Sequence, residues 1–204
     1  MKQLEQIKRI KALAETGLVY AEDEYNRERY TELKQLALEL LASVADRPLS
    51  VLDDFYMPVT DYPTPKVDVR GLVLNEKNQI LMAKESIDGK WTIPGGWAEV
   101  GYSPSACVIK EVEEETGLIT NVVRLMAVYD KQSHPHPPQP FYVYKLCFLC
   151  RFSGGKLTPG FDMRGAAFFD IDDLPEISKD RILVSQLKQL HTMAIENKTE
   201  VYFD

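Results

Sequence analysis

Glu111, Glu114 and Glu115 stand at i, i+3 and i+4 in the stretch "EVEEETG", so on a helix they share one face while Glu113 points elsewhere. Carboxylates so placed repel by tenths of a kcal/mol per pair, a cost that a bound cation would offset. Hard divalent ions such as magnesium favour oxygen-rich sets of this kind and often bridge them to substrate phosphates. Spacing alone leaves two readings open, a cation site and a solvated acidic face.

The flanking residues position this face. Ser103 and Pro104 make a good helix start, with a hydroxyl cap and a proline in the first turn, and Gly117 makes a good stop. Ala106, Ile109 and Val112 are then free to face a sheet. Upstream, Gly95 and Gly96 follow Pro94 and permit a tight turn whose backbone can approach a metal or a phosphate closely. That turn lies one short connection from the acidic helix.

Composition bounds the setting. The 204 residues suffice for one full domain and a smaller one. Hydrophobic content of 45% and charged content of 27% supply a core and speak against disorder. A net charge of −7 and a pI near 5.1 argue against an extended nucleic-acid groove, a local basic patch aside. No run reaches the ~18–20 apolar residues of a membrane span, and "MKQLEQIKRIKALAETG" has no continuous apolar centre of the signal-peptide kind. A cytoplasmic protein without a membrane partner is expected. The single C-x-x-C of Cys147 and Cys150 falls short of a four-ligand zinc set, and on a strand these two positions face opposite sides. With Cys107, they read as reduced structural thiols.

The character of the chain changes near "PVTDYPTPK". Before it, apolar residues recur at helical spacing at Leu4, Ile7, Ile10 and Leu13, then at Tyr30, Leu33, Ala37, Leu40, Leu41 and Val44 over about residues 22 to 45. With a short third helix near Val51 to Phe55, this predicts a helical domain over 1–62. It is too small to bury much alone, so it should pack on the rest or on a second subunit. Residues 63–204 read as a second domain. "KVDVRGLVL" and "QILMAKES" flank "NEKN" as a hairpin. "KWTIPGGW", the glutamate helix, "VVRLMAVYD", "FYVYKLCFLCRF" and "AAFFDI" follow, and an amphipathic helix lies in "SKDRILVSQLKQLHTMAIEN". The fold class is α+β, a mixed sheet with helices packed on it.

The residues from Gly96 to Leu118 resemble the Nudix box: a glycine, a glutamate, then Arg-Glu-aliphatic-x-Glu-Glu-x-Gly-aliphatic at fixed distances. Gly96, Glu111, Val112, Glu114, Glu115, Gly117 and Leu118 match seven of its nine specified positions. The resemblance runs from about Lys66 to the C-terminal helix, including "WTIPGG" before the box and "LPEIS" after the last strand. Tyr102 stands where the family usually has its first glutamate, and Lys110 replaces the arginine beside Glu111. Lysine keeps the charge without the bidentate fork. Both departures touch the surroundings of the three-glutamate face and spare the face itself.

What the resemblance implies is an α/β/α sandwich and hydrolysis of the diphosphate bond in a nucleoside diphosphate linked to a group X. Magnesium or manganese would be held by Glu111, Glu114, Glu115 and the Gly95 carbonyl, with Asp162 of "TPGFDMRG" as an additional loop ligand. Glu111 is the first choice for the base. Around this centre Arg70 and Lys84 are candidate phosphate contacts and Trp97 a candidate stacking residue, while Trp91 packs under the loop. His134 and His136, in the proline-stiffened "SHPHPP", are candidate substrate contacts, though a dimer-contact loop would look the same. The helical extension resembles a bacterial subgroup containing CDP-choline and ADP-ribose pyrophosphatases. CDP-choline, giving CMP and phosphocholine, is the expected substrate and ADP-ribose the second; an RNA-processing nuclease and a non-catalytic nucleotide sensor are the alternatives. A homodimer through the helical arm is expected.

Overall fold

The computed structural model describes residues 2–45, 62–99 and 101–204, which divide into two compact units. One comprises the residues up to Pro65 together with Pro138–Tyr142; the other comprises Lys66–Pro137 and Val143–Asp204. The expected short helix near Val51–Phe55 and Pro58 of the linker lie outside the described residues.

In the first unit, α1 (Lys2–Tyr20) and α2 (Glu24–Ala45) pack on each other. Asp23 starts α2, its carboxylate accepting the Asn26 N–H at 2.8 Å. Leu4, Ile7, Ala37 and Leu41 form the small core. Gly17 admits the Tyr30 ring, which a Cβ there would meet at 2.5 Å. The apolar stripe read from the sequence is only half used. Ile10, Leu13, Leu33, Leu40 and Val44 stay exposed, and Leu36 joins them.

The second unit runs β1 (Lys66–Val73), β2 (Ile80–Glu85), β3 (Trp91–Thr92), α3 (Pro104–Thr116), β4 (Leu118–Asp130), β5 (Val143–Gly155), β6 (Met163–Phe169), α4 (Val184–Ile195) and β7 (Tyr202–Phe203). One sheet has the order β1-β5-β4-β7, with β1 parallel to β5, β4 antiparallel to β5 and β7 parallel to β4; the other has the order β3-β2-β6 and is antiparallel. The expected hairpin between β1 and β2 is corrected here. The turn is real, closed by Asn75 and Gln79, yet the strands share only the Leu74–Ile80 bridge and diverge into different sheets. Each finds a longer partner elsewhere, β1 along β5 and β2 along β6.

Period-two alternation sorts the strand residues onto two faces. Val69, Val73, Leu81, Phe148 and Cys150 face α3 and its Cys107, Val108 and Val112. Leu72, Ile80, Met82, Met126, Tyr129 and Cys147 face α4 and its Leu187, Leu190 and Met193. The unit is therefore an α/β/α sandwich, and Cys147 and Cys150 take opposite sides, all three thiols being buried and free. Each fully buried valine of α3 contributes about 1.5–3 kcal/mol. Gly71 of β1 sets how closely the helix approaches, since a Cβ there would lie 2.8 Å from Val112.

Candidate active site

Helix α3 is fixed at both ends as its sequence dictates. The Ser103 hydroxyl accepts the Ala106 N–H at 3.2 Å with Pro104 in the first turn, and Gly117 closes the helix at φ 71°, its N–H donating to Glu113 O at 2.7 Å. The far end is pinned again by residues 158–160. Thr158 N–H donates to Thr116 O at 2.8 Å and Gly160 N–H to Glu115 O at 3.0 Å. Helix phase then decides the fate of each acid: Glu115 is buried, Glu111 half-buried, and Glu113 and Glu114 are exposed.

The glycine turn is laced along β1. Pro94 O accepts from Gly71 N–H, Gly96 O from Val69 N–H, and Ala98 N–H donates to Val67 O, each at 2.8 Å. Gly95 has φ 145°, and a Cβ there would stand 2.0 Å from the Val69 carbonyl oxygen, so only glycine fits. Its N–H donates to Glu115 Oε2 at 3.2 Å. A Cβ on Gly96 would come within 2.8 Å of Glu111 Oε1. The paired glycines thus form a floor against which two carboxylates of α3 rest.

Those carboxylates are poorly solvated. Burial pushes Glu115 up to about 8, with Glu111 and Glu85 adding to it and only Arg70 and the Gly95 N–H opposing. Burial likewise raises Glu111, against Arg70. Both hold protons more tightly than a free glutamate because burial penalises the charged form more than the nearby positive groups compensate. An oxygen donor set lacking a cation fits a hard divalent ion. Glu114 is engaged differently, its Oε2 lying 3.1 Å from Lys110 Nζ. Among the described residues no three acidic, histidine or cysteine side chains converge as a metal set with the side chains as they stand.

The other sequence candidates are each engaged differently, and Arg70 also acts on Glu111 and Glu115. Arg70, expected on phosphate, is 1% exposed, because β1 points it into the interior. Its guanidinium is bound to Asp68 at 2.9–3.3 Å and to Ile93 O at 3.3 Å, and Lys145 closes on Asp68 from β5. Burial alone would raise Asp68, yet these two cations hold its carboxylate below the ordinary value. His134 is bound to Asp204, Nε2 to oxygen 3.0 Å, and His136 Nδ1 donates to Lys179 O at 2.7 Å, so the histidine loop closes on the chain's own C-terminal region. Lys84 lies 5.9 Å from the Trp91 ring centroid, and Trp91 packs edge-on against Phe169. Trp97 is 43% exposed with Lys66 Nζ 5.4 Å from its ring centroid. Asp162 is exposed in the turn after Gly160, beside a fully exposed Phe161.

Two features escaped the sequence reading. The Asp68–Arg70–Lys145 network was announced only by charged residues alternating with apolar ones in "KVDVRGLV" and "VYKLC". Glu99, outside the acidic helix, meets Lys110 Nζ at 2.9 Å; nothing in linear spacing marks that pair.

Residues 64–189 match the NUDIX domain, and residues 1–56 match a domain described as UDP-X-like, N-terminal oligomerisation domain. A Bacillus subtilis protein provisionally named as an ADP-ribose pyrophosphatase, YjhB, is 42% identical over 203 residues, covering 100% of this chain and 97% of its own. The crystal structure of a UDP-X diphosphatase superposes with a TM-score of 0.65 at 32% identity, covering 100% of this chain and 98% of that one. That of an ADP-ribose pyrophosphatase from Streptococcus suis 89-1591 gives 0.63 at 35% identity, covering 69% of this chain and 100% of that one. The family generally requires divalent metal ions, and no helix among the described residues is long and apolar enough to cross a membrane. The chain belongs to the Nudix hydrolases and is a pyrophosphohydrolase.

Proposed function

We propose that the chain hydrolyses the diphosphate bond of a nucleoside diphosphate linked to a second group, at a centre made by Glu111, Glu114 and Glu115 over the Gly95–Gly96 turn. The observation that carries this is the pair of under-solvated carboxylates, Glu111 and Glu115, set against a backbone floor with too little positive charge beside them. Such a pair gains from a cation that brings an anionic diphosphate with it. A divalent ion bound there would neutralise the substrate and acidify water. Glu115 and Glu114 are assigned to hold it, and Glu111 also to accept the proton from the attacking water. Asp162 is kept as an additional ligand from the loop that pins the end of α3. The exposed rings of Trp97 and Phe161 are assigned to stack on a base.

For the substrate, ADP-ribose and UDP-linked groups rank ahead of CDP-choline, because the similar proteins carry the first two in their names. Turnover of ADP-ribose, UDP-linked sugars and CDP-choline with magnesium or manganese, read as nucleoside monophosphate release, tests the reading. Release from at least one conjugate, abolished in Glu114→Gln, is expected. Full activity in that variant removes Glu114 from the centre.

The first unit is assigned to self-association. Leu33, Leu36, Leu40 and Val44 are 38–49% exposed and fall on one stripe of α2, and the matched N-terminal domain is described as oligomerising. Leu36→Lys with Leu40→Lys is expected to give a monomer in sedimentation; an unchanged dimer would place the interface elsewhere.

A further inference from the structure

Lys110 Nζ is shared between two carboxylates, 2.9 Å from Glu99 Oε1 and 3.1 Å from Glu114 Oε2. Glu99 is held in place for this. Its N–H donates to Cys107 Sγ at 3.3 Å, and the same thiol lies 3.9 Å from its carbonyl oxygen. Cys107 is 2% exposed and sits one helical turn before Lys110, so the core of α3 anchors the backbone that carries Glu99. Tyr102 borders the lysine, its ring centroid 5.9 Å from Nζ, and donates its N–H to Glu99 O at 3.3 Å. As an ordinary lysine ammonium, Lys110 carries a full positive charge at neutral pH. As they stand, the three acids of α3 do not converge as a metal set, and one of them carries the Lys110 ammonium.

We propose that Lys110 is a resident counter-ion that a divalent metal displaces from Glu114, and that Glu99 is the positioning residue that receives the lysine. The inference rests on the assignment of Glu111, Glu114 and Glu115 as the metal-binding face. A lysine and a divalent ion on one carboxylate repel each other. A second carboxylate already at 2.9 Å lets the ammonium leave Glu114 without losing its ion pair. The three side chains involved are solvent-accessible, so the energies exchanged are small and the handover is reversible.

The test is the Kd of Mn²⁺ for the full-length protein, from calorimetry and from the spin-resonance signal of free Mn²⁺. Lys110→Met removes the competitor and is expected to tighten binding about threefold. Glu99→Gln leaves the lysine no alternative and is expected to weaken it about threefold. In the Lys110→Met background, Glu99→Gln is expected to change nothing. A lysine that merely holds Glu114 in position predicts the opposite sign for Lys110→Met. A long-range effect of the Glu99 charge predicts equal weakening in both backgrounds. Either result overturns the handover. Lys110→Gln repeats the charge removal should the methionine variant fail to fold. Glu114→Gln separates the two levels: undiminished Mn²⁺ affinity there refutes the metal face, whereas diminished affinity without tightening in Lys110→Met refutes the handover alone.

Discussion

Two charged groups lie on opposite sides of β1, and they are completed differently. On the α4 side Asp68 faces Arg70 and Lys145, all three buried, with the anion held by both cations. On the α3 side Glu111 and Glu115 have a backbone N–H and the field of Arg70, and both are pushed toward the protonated form. A network that satisfies itself from within fixes structure and offers a ligand nothing. A set left short of positive charge bears a cost that a cation offsets. The contrast separates a network completed from within from the group to which the proposed chemistry is assigned.

The sharpest way to break this contrast is Asp68→Ala, which leaves two buried cations without their partner. A loss of about 3–5 kcal/mol in denaturant unfolding is expected, with activity per folded molecule retained; a loss under about 1 kcal/mol would mean the network is not structural. Glu115→Gln should behave in the reverse manner. Turnover is expected to fall about 100-fold, or about 2.7 kcal/mol of barrier. Stability without metal should hold or rise, since an under-solvated carboxylate is gone. A marked drop in that stability would assign Glu115 to the architecture instead.

The histidine loop sharpens the comparison at smaller scale. Burial pushes His136 down to about 4 from 6.5, and its Nδ1–H is spent on Lys179 O. The unfolded chain takes up this proton near pH 6.5 and the folded chain only near 4. The stability it confers is complete above 6.5 and is lost as pH falls toward 4. His136→Gln keeps a donor without the titration and is expected to flatten the fall of Tm across that window by about 3 °C. An unchanged slope would locate the acid sensitivity elsewhere.

Much of this molecule is legible in the linear sequence because it depends on local rules. Ser103, Pro104 and Gly117 bound α3 as their cap chemistry requires, and the spacing of Cys147 and Cys150 sends them to opposite cores. Failures cluster where a residue's partner is remote in sequence. β1 and β2 were read as a hairpin because they are neighbours in the chain, whereas their pairing is with β5 and β6. The partners of His134 and His136 were equally out of reach of the linear reading, Asp204 and Lys179 lying 70 and 43 positions away.

The sequence by itself determined which acids share a face of α3, where that helix begins and ends, and that glycines adjoin it, since backbone periodicity and steric permission are properties of short segments. Tertiary structure decided which of those acids lose their water, which cation each one meets, and which charged residues are consumed in holding strands together. Solvation and ion pairing depend on distances that close only when remote segments pack, so a buried Glu115, a spent Arg70 and a Glu99 beside Lys110 could be found only in the folded chain.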